Sequence, residues 1–206
     1  MLERYVAGQV KIQLNGDLLI MTGASQAEAS RRKDEESLEA SLVRAVRAGD
    51  REAFGRLYSM YAPMVHGILL ARVPWAEVDD LVQDVFLVAF RKVRMLRDYN
   101  AFGGWIAMIA RNRAHDFHRR SKKTEELPQD IAAESQTEAG TDAERILGTV
   151  QALPDAYRET LVLRLVEGMT GPEIAARTGL TPASVRVNLH RGMKLLRERL
   201  GMEGVL

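Results

Sequence analysis

The chain has 206 residues, of which 46% are hydrophobic and 28% charged, with no cysteine. That length holds one large domain or two small ones with a linker, and the balance is that of a soluble protein able to pack a core. The lack of cysteine excludes a disulfide scaffold, a thiolate zinc site and a cysteine nucleophile, while the formal net charge of +1 conceals segments of opposite sign.

In residues 1–36, Val10, Ile12 and Leu14 alternate with polar residues before the turn dipeptide Asn15-Gly16, and Leu18 and Ile20 follow. The pattern is that of a hairpin, but a lone hairpin is marginal in water, so a flexible N-terminal extension is expected. Glu3, Arg4, Lys11 and Asp17 break any apolar core that a signal peptide would need. A membrane span needs about 20 apolar residues, more than the uncharged run Leu57 to Ala71, which contains Pro63 and His66. A cytoplasmic protein without membrane insertion is expected.

Residues 37–123 suggest a helical unit. Leu38, Leu42, Val43 and Val46 recur at helical spacing until Gly49. Asp50 can cap a second helix carrying Phe54, Leu57, Tyr58 and Tyr61. A third segment is expected from Val78 to Leu96, with Leu81, Val85, Val88 and Ala89 inward. A loop should span Asp98 to Gly104. A fourth helix is expected from about Trp105 to Arg120, burying Trp105, Ile109 and Phe117.

The charges then separate. Arg111, Arg113, Arg119, Arg120, Lys122 and Lys123 surround a single acid, Asp116. Residues 124–141 are polar, acidic and poor in large apolar side chains, so they cannot offset the entropy of ordering and read as a flexible acidic linker. Residues 142–206 form a second helical unit, in which Leu153-Pro154-Asp155 opens a helix with Tyr157, Leu161 and Leu165 inward, ending at Gly168. The fold class is therefore all-α, two small helical domains joined by a linker.

The stretch from Thr170 to Lys194 has a pattern of its own. Thr170 to Glu173 has capping-box spacing, Gly179 suits a left-handed turn, and Thr181-Pro182 starts another helix. With Ile174, Ala175, Val185 and Leu189 inward, Ala183, Arg186, Val187, His190, Arg191 and Lys194 are left near the outer face. This is a helix-turn-helix pattern: arginine can bond guanine in the major groove, and the later cations suit phosphates. Such a motif serves repressors, activators, recombinases and initiation factors alike, and the bland alternative is an amphipathic helix pair with solvated arginines.

Two features of the first unit bear on that choice. Glu77, Asp79, Asp80 and Asp84 give one helix an acidic face, although acids near a helix N-terminus are also locally stabilising. From Trp105 to Arg120, aromatics alternate with cations, an arrangement on which unpaired bases can stack; a core tryptophan beside a solvated basic face is the alternative.

The runs DDLVQDVFLVAF and Phe102 to Asn112 (FGGWIAMIARN), followed by the segment from Leu153 to Leu200, resemble bacterial RNA polymerase sigma factors of the extracytoplasmic-function group. AGDREAFGRLY, Ala48 to Tyr58, is similar to the opening helices of that family. The resemblance covers about residues 38–122 and 143–200, and implies a transcription initiation factor that is not an enzyme. Its partners would be core RNA polymerase, promoter DNA and an anti-sigma factor.

The resemblance also implies roles for individual residues. Asp79, Asp80, Gln83, Asp84 and Phe86 match the helix that docks on core polymerase. Tyr99, Asn100, Phe102, Asn112, Arg113, Asp116, Arg119 and Arg120 match the loop and helix that melt the −10 element and hold a flipped base. Arg186, Val187, His190, Arg191 and Lys194 match the positions that contact the −35 element. The linker would avoid DNA and thread polymerase channels. Ile106 replaces a frequent leucine, and Gly103 and Gly104 are expected to loosen the −10 loop.

A stand-alone helix-turn-helix regulator is the alternative, but it would carry a sensing or dimerising module in place of the acidic and aromatic-basic helices. His115, Asp116 and His118 have a spacing that could hold a metal, yet a basic nucleic-acid face explains them better. Neither a glycine-rich phosphate loop nor a nucleophile constellation is present, and no cofactor or metal is expected.

Overall fold

In the computed structural model, residues 38–125 and 142–201 are described, and among these every regular element is helical. The expected hairpin of the N-terminal extension and linker residues 126–141 lie outside the described residues. Helix α1 covers 38–47, after which Gly49 takes φ +103°. Asp50 accepts the Ala53 amide at 3.0 Å and starts α2, Arg51–Leu70. From Met64 to Ala71 every residue is buried, because α2 is flanked by α3 and α4 and also by α6 and α7. That surrounding protein, and not a membrane, explains the long uncharged run.

Helix α3, Val78–Lys92, buries Val78, Val82, Val85, Phe86 and Ala89. Leu81 and Val88, expected inward, are half-buried; the helix is turned so that its i, i+4, i+7 and i+8 stripe begins at Val78. It gives way to a 3-10 turn at Val93–Met95 before the expected end at Leu96.

The expected loop from Asp98 to Gly104 is largely structured. Asp98 caps a 3-10 turn, Tyr99–Ala101, by accepting the Asn100 amide at 3.0 Å. Helix α4 starts at Phe102 and runs to Glu125. Its first amide donates to Glu39 Oε1 at 2.9 Å, and Glu39 also receives the Tyr61 hydroxyl. A buried carboxylate on α1 thus performs from a distance the capping that a local side chain usually supplies. Ile106, Ala107, Ala110 and Ala114 are the fully buried stripe, with Trp105, Ile109 and Phe117 half-buried beside it.

The second half comprises α5 (Asp142–Gln151), α6 (Asp155–Leu165), α7 (Gly171–Thr178) and α8 (Pro182–Arg199). Helix α6 buries every residue from Glu159 to Leu163, because α8 covers one side and α2 the other. Glycines permit the closest approaches. A Cβ on Gly192 would lie 3.0 Å from Leu161 Cδ1, and one on Gly67 would lie 2.8 Å from Leu163 Cδ2. The buried side chains of both halves form one continuous cluster.

Candidate nucleic-acid interface

The helix-turn-helix is built by local chemistry. The Thr170 amide donates to Glu173 Oε2 at 2.8 Å and the Glu173 amide donates to Thr170 Oγ1 at 3.3 Å, completing the capping box of α7. Burial pushes the Glu173 carboxyl up, but the bonds from Thr170 and the charges of Arg177 and Arg164 outweigh it and hold the group below its ordinary range. Gly179 ends α7 at φ +75°, a conformation that L side chains resist. Thr181 accepts the Ser184 amide at 3.1 Å and caps α8, with Pro182 in its first turn.

Ile174, Ala175, Val185 and Leu189 are buried, which fixes the two helices against the core. Arg186, Val187, His190, Arg191 and Lys194 are all exposed on α8, Val187 by 40%. An exposed valine among cations gives the face an apolar point that can meet a thymine methyl. Lys194 lies 3.8 Å from Glu198, a loose surface pair.

Helix α4 carries the second basic face. Asn112, Arg119 and Arg120 are exposed, and Arg113 and Asp116 half-buried; Asp116 pairs with Arg119 at 2.9 Å. Asn100 is exposed at the foot of this helix, and half-buried Tyr99 receives the Arg47 guanidinium 5.0 Å from its ring centre. Phe102 departs from expectation: it is fully buried, packed on Tyr61 and Trp105, and anchors the loop from beneath without surface for a base. Gly103 and Gly104 do not loosen the loop either. They form the first turn of α4 and admit other backbones: a Cβ on Gly103 would stand 2.8 Å from the Arg177 carbonyl oxygen, and one on Gly104 3.7 Å from Gly179 Cα. His115 is exposed, His118 hydrogen-bonds the Arg72 carbonyl at 2.7 Å, and among the described residues no three His, Cys, Asp or Glu side chains cluster as metal ligands.

On α3, Asp79, Asp80, Gln83 and Asp84 are exposed together. Phe86 is only 4% exposed and packs against Tyr58 and Phe54, so it shapes this face from within. Sequence reasoning passed over the apolar surface beside the acids: Leu87 is 53% exposed, Phe90 44% and Tyr58 40%. The signal was available, since Leu87 and Phe90 also lie off the Leu81, Val85, Val88 and Ala89 side that helical spacing picks out.

A further group joins the halves. Glu159 of α6 is buried, and its carboxylate accepts Arg111 Nε at 3.0 Å and Arg111 Nη2 at 2.6 Å, while Arg72 Nη2 donates at 2.6 Å. Burial pushes the Glu159 carboxyl up, but the Arg111 hydrogen bonds and the charges of both guanidinia outweigh it and hold the group below the usual carboxylate range. Bonding to Glu159 raises Arg111 in turn. Nearby, His66 Nδ1 meets Glu167 Oε1 at 2.7 Å, Gln151 Nε2 donates to the Leu70 carbonyl at 2.7 Å, and Arg177 reaches the Met60 carbonyl at 3.4 Å.

Residues 57–124 match sigma-70 region 2 and residues 143–196 match sigma-70 region 4. The chain is 33% identical over 162 residues to RNA polymerase sigma factor CarQ of Myxococcus xanthus, covering 75% of this chain and 93% of that protein. It is 31% identical over 184 residues to ECF RNA polymerase sigma factor SigD of Mycobacterium tuberculosis, covering 82% and 86%. Among solved structures, CnrH in complex with the cytosolic domain of CnrY is similar, with a TM-score of 0.57 and 25% identity over 81% of this chain and 99% of that one.

Proposed function

The chain belongs to the sigma-70 family, in its extracytoplasmic-function group, and is a transcription initiation factor; from that premise we propose how its surfaces divide the work. Residues 37–123 form the unit that binds core RNA polymerase and the −10 element, and residues 142–206 the unit that binds the −35 element, with residues 124–141 as the acidic linker between them. Members of this family select where polymerase begins and do not catalyse a reaction of their own. No described helix is long and apolar enough to cross a membrane, and work with polymerase and promoter DNA fits a cytoplasmic location.

The observation that carries this division is the separation of three surfaces with different chemistry. On α3, Asp79, Asp80, Gln83 and Asp84 stand exposed beside Leu87 and Phe90, which suits a protein partner with a basic rim and an apolar centre. That partner is the polymerase. On α4, Asn112, Arg113, Asp116, Arg119 and Arg120 lead away from Tyr99 and Asn100, a polar and cationic track for a displaced strand. Unstacking a base costs only a few kcal/mol, so capture of unpaired bases can drive melting without a nucleotide. On α8, Arg186, Val187, His190 and Arg191 enter the −35 major groove and Lys194 meets a phosphate.

An anti-sigma factor completes the set of partners. CnrH is held by a domain of another protein, and a chain that commits polymerase to selected promoters needs such restraint. The division of labour is tested in reconstituted holoenzyme on a promoter carrying a fluorescent base at −10. Arg119→Ala with Arg120→Ala should slow the fluorescence rise of opening while recruitment stays intact; equal loss of recruitment would contradict the −10 assignment.

A further inference from the structure

We propose that Glu39 and Arg47, both on α1, are positioning residues for the −10 element: they grip the two ends of the stretch from Leu96 to Phe102 and so set the shape in which Tyr99 and Asn100 meet an unpaired base. This inference rests on the −10 assignment proposed above. Helix α1 ends before the residues that match sigma-70 region 2 begin, and none of the three surfaces described above includes it.

The stretch does little to hold itself. Asp98 accepts the Asn100 amide at 3.0 Å through its side chain and the Ala101 amide at 3.2 Å through its carbonyl. That closes a single 3-10 turn, Tyr99–Ala101, and so short a turn has little stability of its own. Both ends are instead fastened to α1. At the entry, Arg47 Nη1 donates to the Leu96 carbonyl at 3.1 Å, and the same guanidinium lies 5.0 Å from the centre of the Tyr99 ring. At the exit, the Phe102 amide donates to Glu39 Oε1 at 2.9 Å, while Oε2 of the same carboxylate accepts the Tyr61 hydroxyl. Tyr61 in turn packs its ring on Phe102, with 5.3 Å between centres.

Such anchors need a rigid base, and α1 provides one, since Leu42, Val43 and Val46 between the two gripping residues are buried. Glu39 and Arg47 are eight positions apart, about 12 Å along a helix. Leu96 and Phe102 are six apart, about 20 Å if extended. Fixing both ends to one short helix leaves slack that the chain takes up by turning, and Tyr99 and Asn100 stand at that turn. The cation over Tyr99 also holds the ring in one orientation. Glu39 fixes where α4 starts by placing an anionic acceptor at its first amide, and so sets how Asn112, Arg113 and Asp116 follow the loop. Glu39 is buried, so it acts on DNA only through what it holds.

Reconstituted holoenzyme on a promoter with a fluorescent base at −10 gives the first readout. Glu39→Ala and, separately, Arg47→Met should each slow opening about tenfold and blunt the discrimination between bases at −10 by a similar factor. Affinity for core polymerase and for a −35 duplex should stay within about twofold of wild type. Glu39→Gln keeps an acceptor for the Phe102 amide and should open within about threefold of wild type; a loss as deep as that of Glu39→Ala would overturn the hydrogen-bonded grip. Amide hydrogen exchange of the full chain is a second readout, free of DNA: the Phe102 amide should exchange about tenfold faster or more in Glu39→Ala. Arg47 is half-buried in the last turn of α1, so Arg47→Met keeps the test available if Glu39→Ala does not fold. Wild-type opening in both variants, with Asn100→Ala slow, would overturn the positioning role, as would a loss of polymerase affinity in step with opening. With both variants folded, an effect of one alone would overturn the two-ended grip. If Asn100→Ala opens as fast as wild type, the −10 assignment of the loop fails, and exchange at Phe102 still decides whether α1 holds it.

Discussion

Glu159 and Arg111, 48 positions apart in sequence, are joined by two hydrogen bonds of 2.6 and 3.0 Å, so that an acid of α6 neutralises a base of α4 inside the protein. The pair has a definite pH signature. Its folded carboxyl lies below the ordinary range, so its contribution to stability is complete above the unfolded pKa of about 4.3 and is lost as pH falls through the lower folded value. The difference in melting temperature between wild type and Glu159→Gln should be constant from neutral pH to about 5 and shrink below about 4. Thermal melts across that range check it, and a difference that grows toward acid would show that the folded carboxyl is raised.

The exposed apolar residues of α3 make a prediction about binding without stability. Leu87 is 53% exposed and lies outside the buried stripe, so Leu87→Ser should leave the melting temperature within a degree or so. It should weaken association with core polymerase by roughly tenfold, as expected of an apolar contact at an interface centre. Co-sedimentation or fluorescence anisotropy with core polymerase measures this, and unchanged affinity would remove Leu87 from the interface.

The capping box of α7 is exposed and separate from the DNA-facing side chains. Thr170→Ala removes the bonds to Glu173 and should cost about 1 kcal/mol in denaturant unfolding. The accompanying loss should be modest and equal for all DNA sequences. A selective loss at one promoter element would mean that Thr170 itself meets DNA.

Arg186 projects from the first turns of α8 and is exposed. Arg186→Ala should cost about 1 to 3 kcal/mol of discrimination at the −35 element and leave opening at −10 unaltered once polymerase is bound. Competition between promoters altered at single −35 positions provides the readout. A loss uniform over every sequence would reassign Arg186 to a phosphate.

The sequence made the local half of this structure legible. Asp50, Thr170, Glu173, Gly179, Thr181 and Pro182 each act within a few residues of themselves, and the structure places them as their spacing implies. The outer face of α8 could be named for the same reason. What escaped is long-range. Glu39 looks like one more polar position in an amphipathic helix, yet it caps α4 across 63 positions. Gly103 and Gly104 read as a loose loop because nothing local reveals that Arg177 and Gly179 arrive against them. Phe86 and Phe102 were named for function because they stand within the matched runs, and burial assigns them to the core. Glu159 and Arg111 look like ordinary surface charges until two helices distant in sequence bring them together.

The central claim is that this chain gives core RNA polymerase its choice of promoter. Run-off transcription with purified core polymerase and a promoter mapped by chromatin immunoprecipitation of this chain tests it most directly. The account predicts a single defined transcript that appears only when the chain is added and disappears when its −35 or −10 element is scrambled. Transcription that starts at the same positions without the chain, or that ignores both scrambled elements, would contradict it.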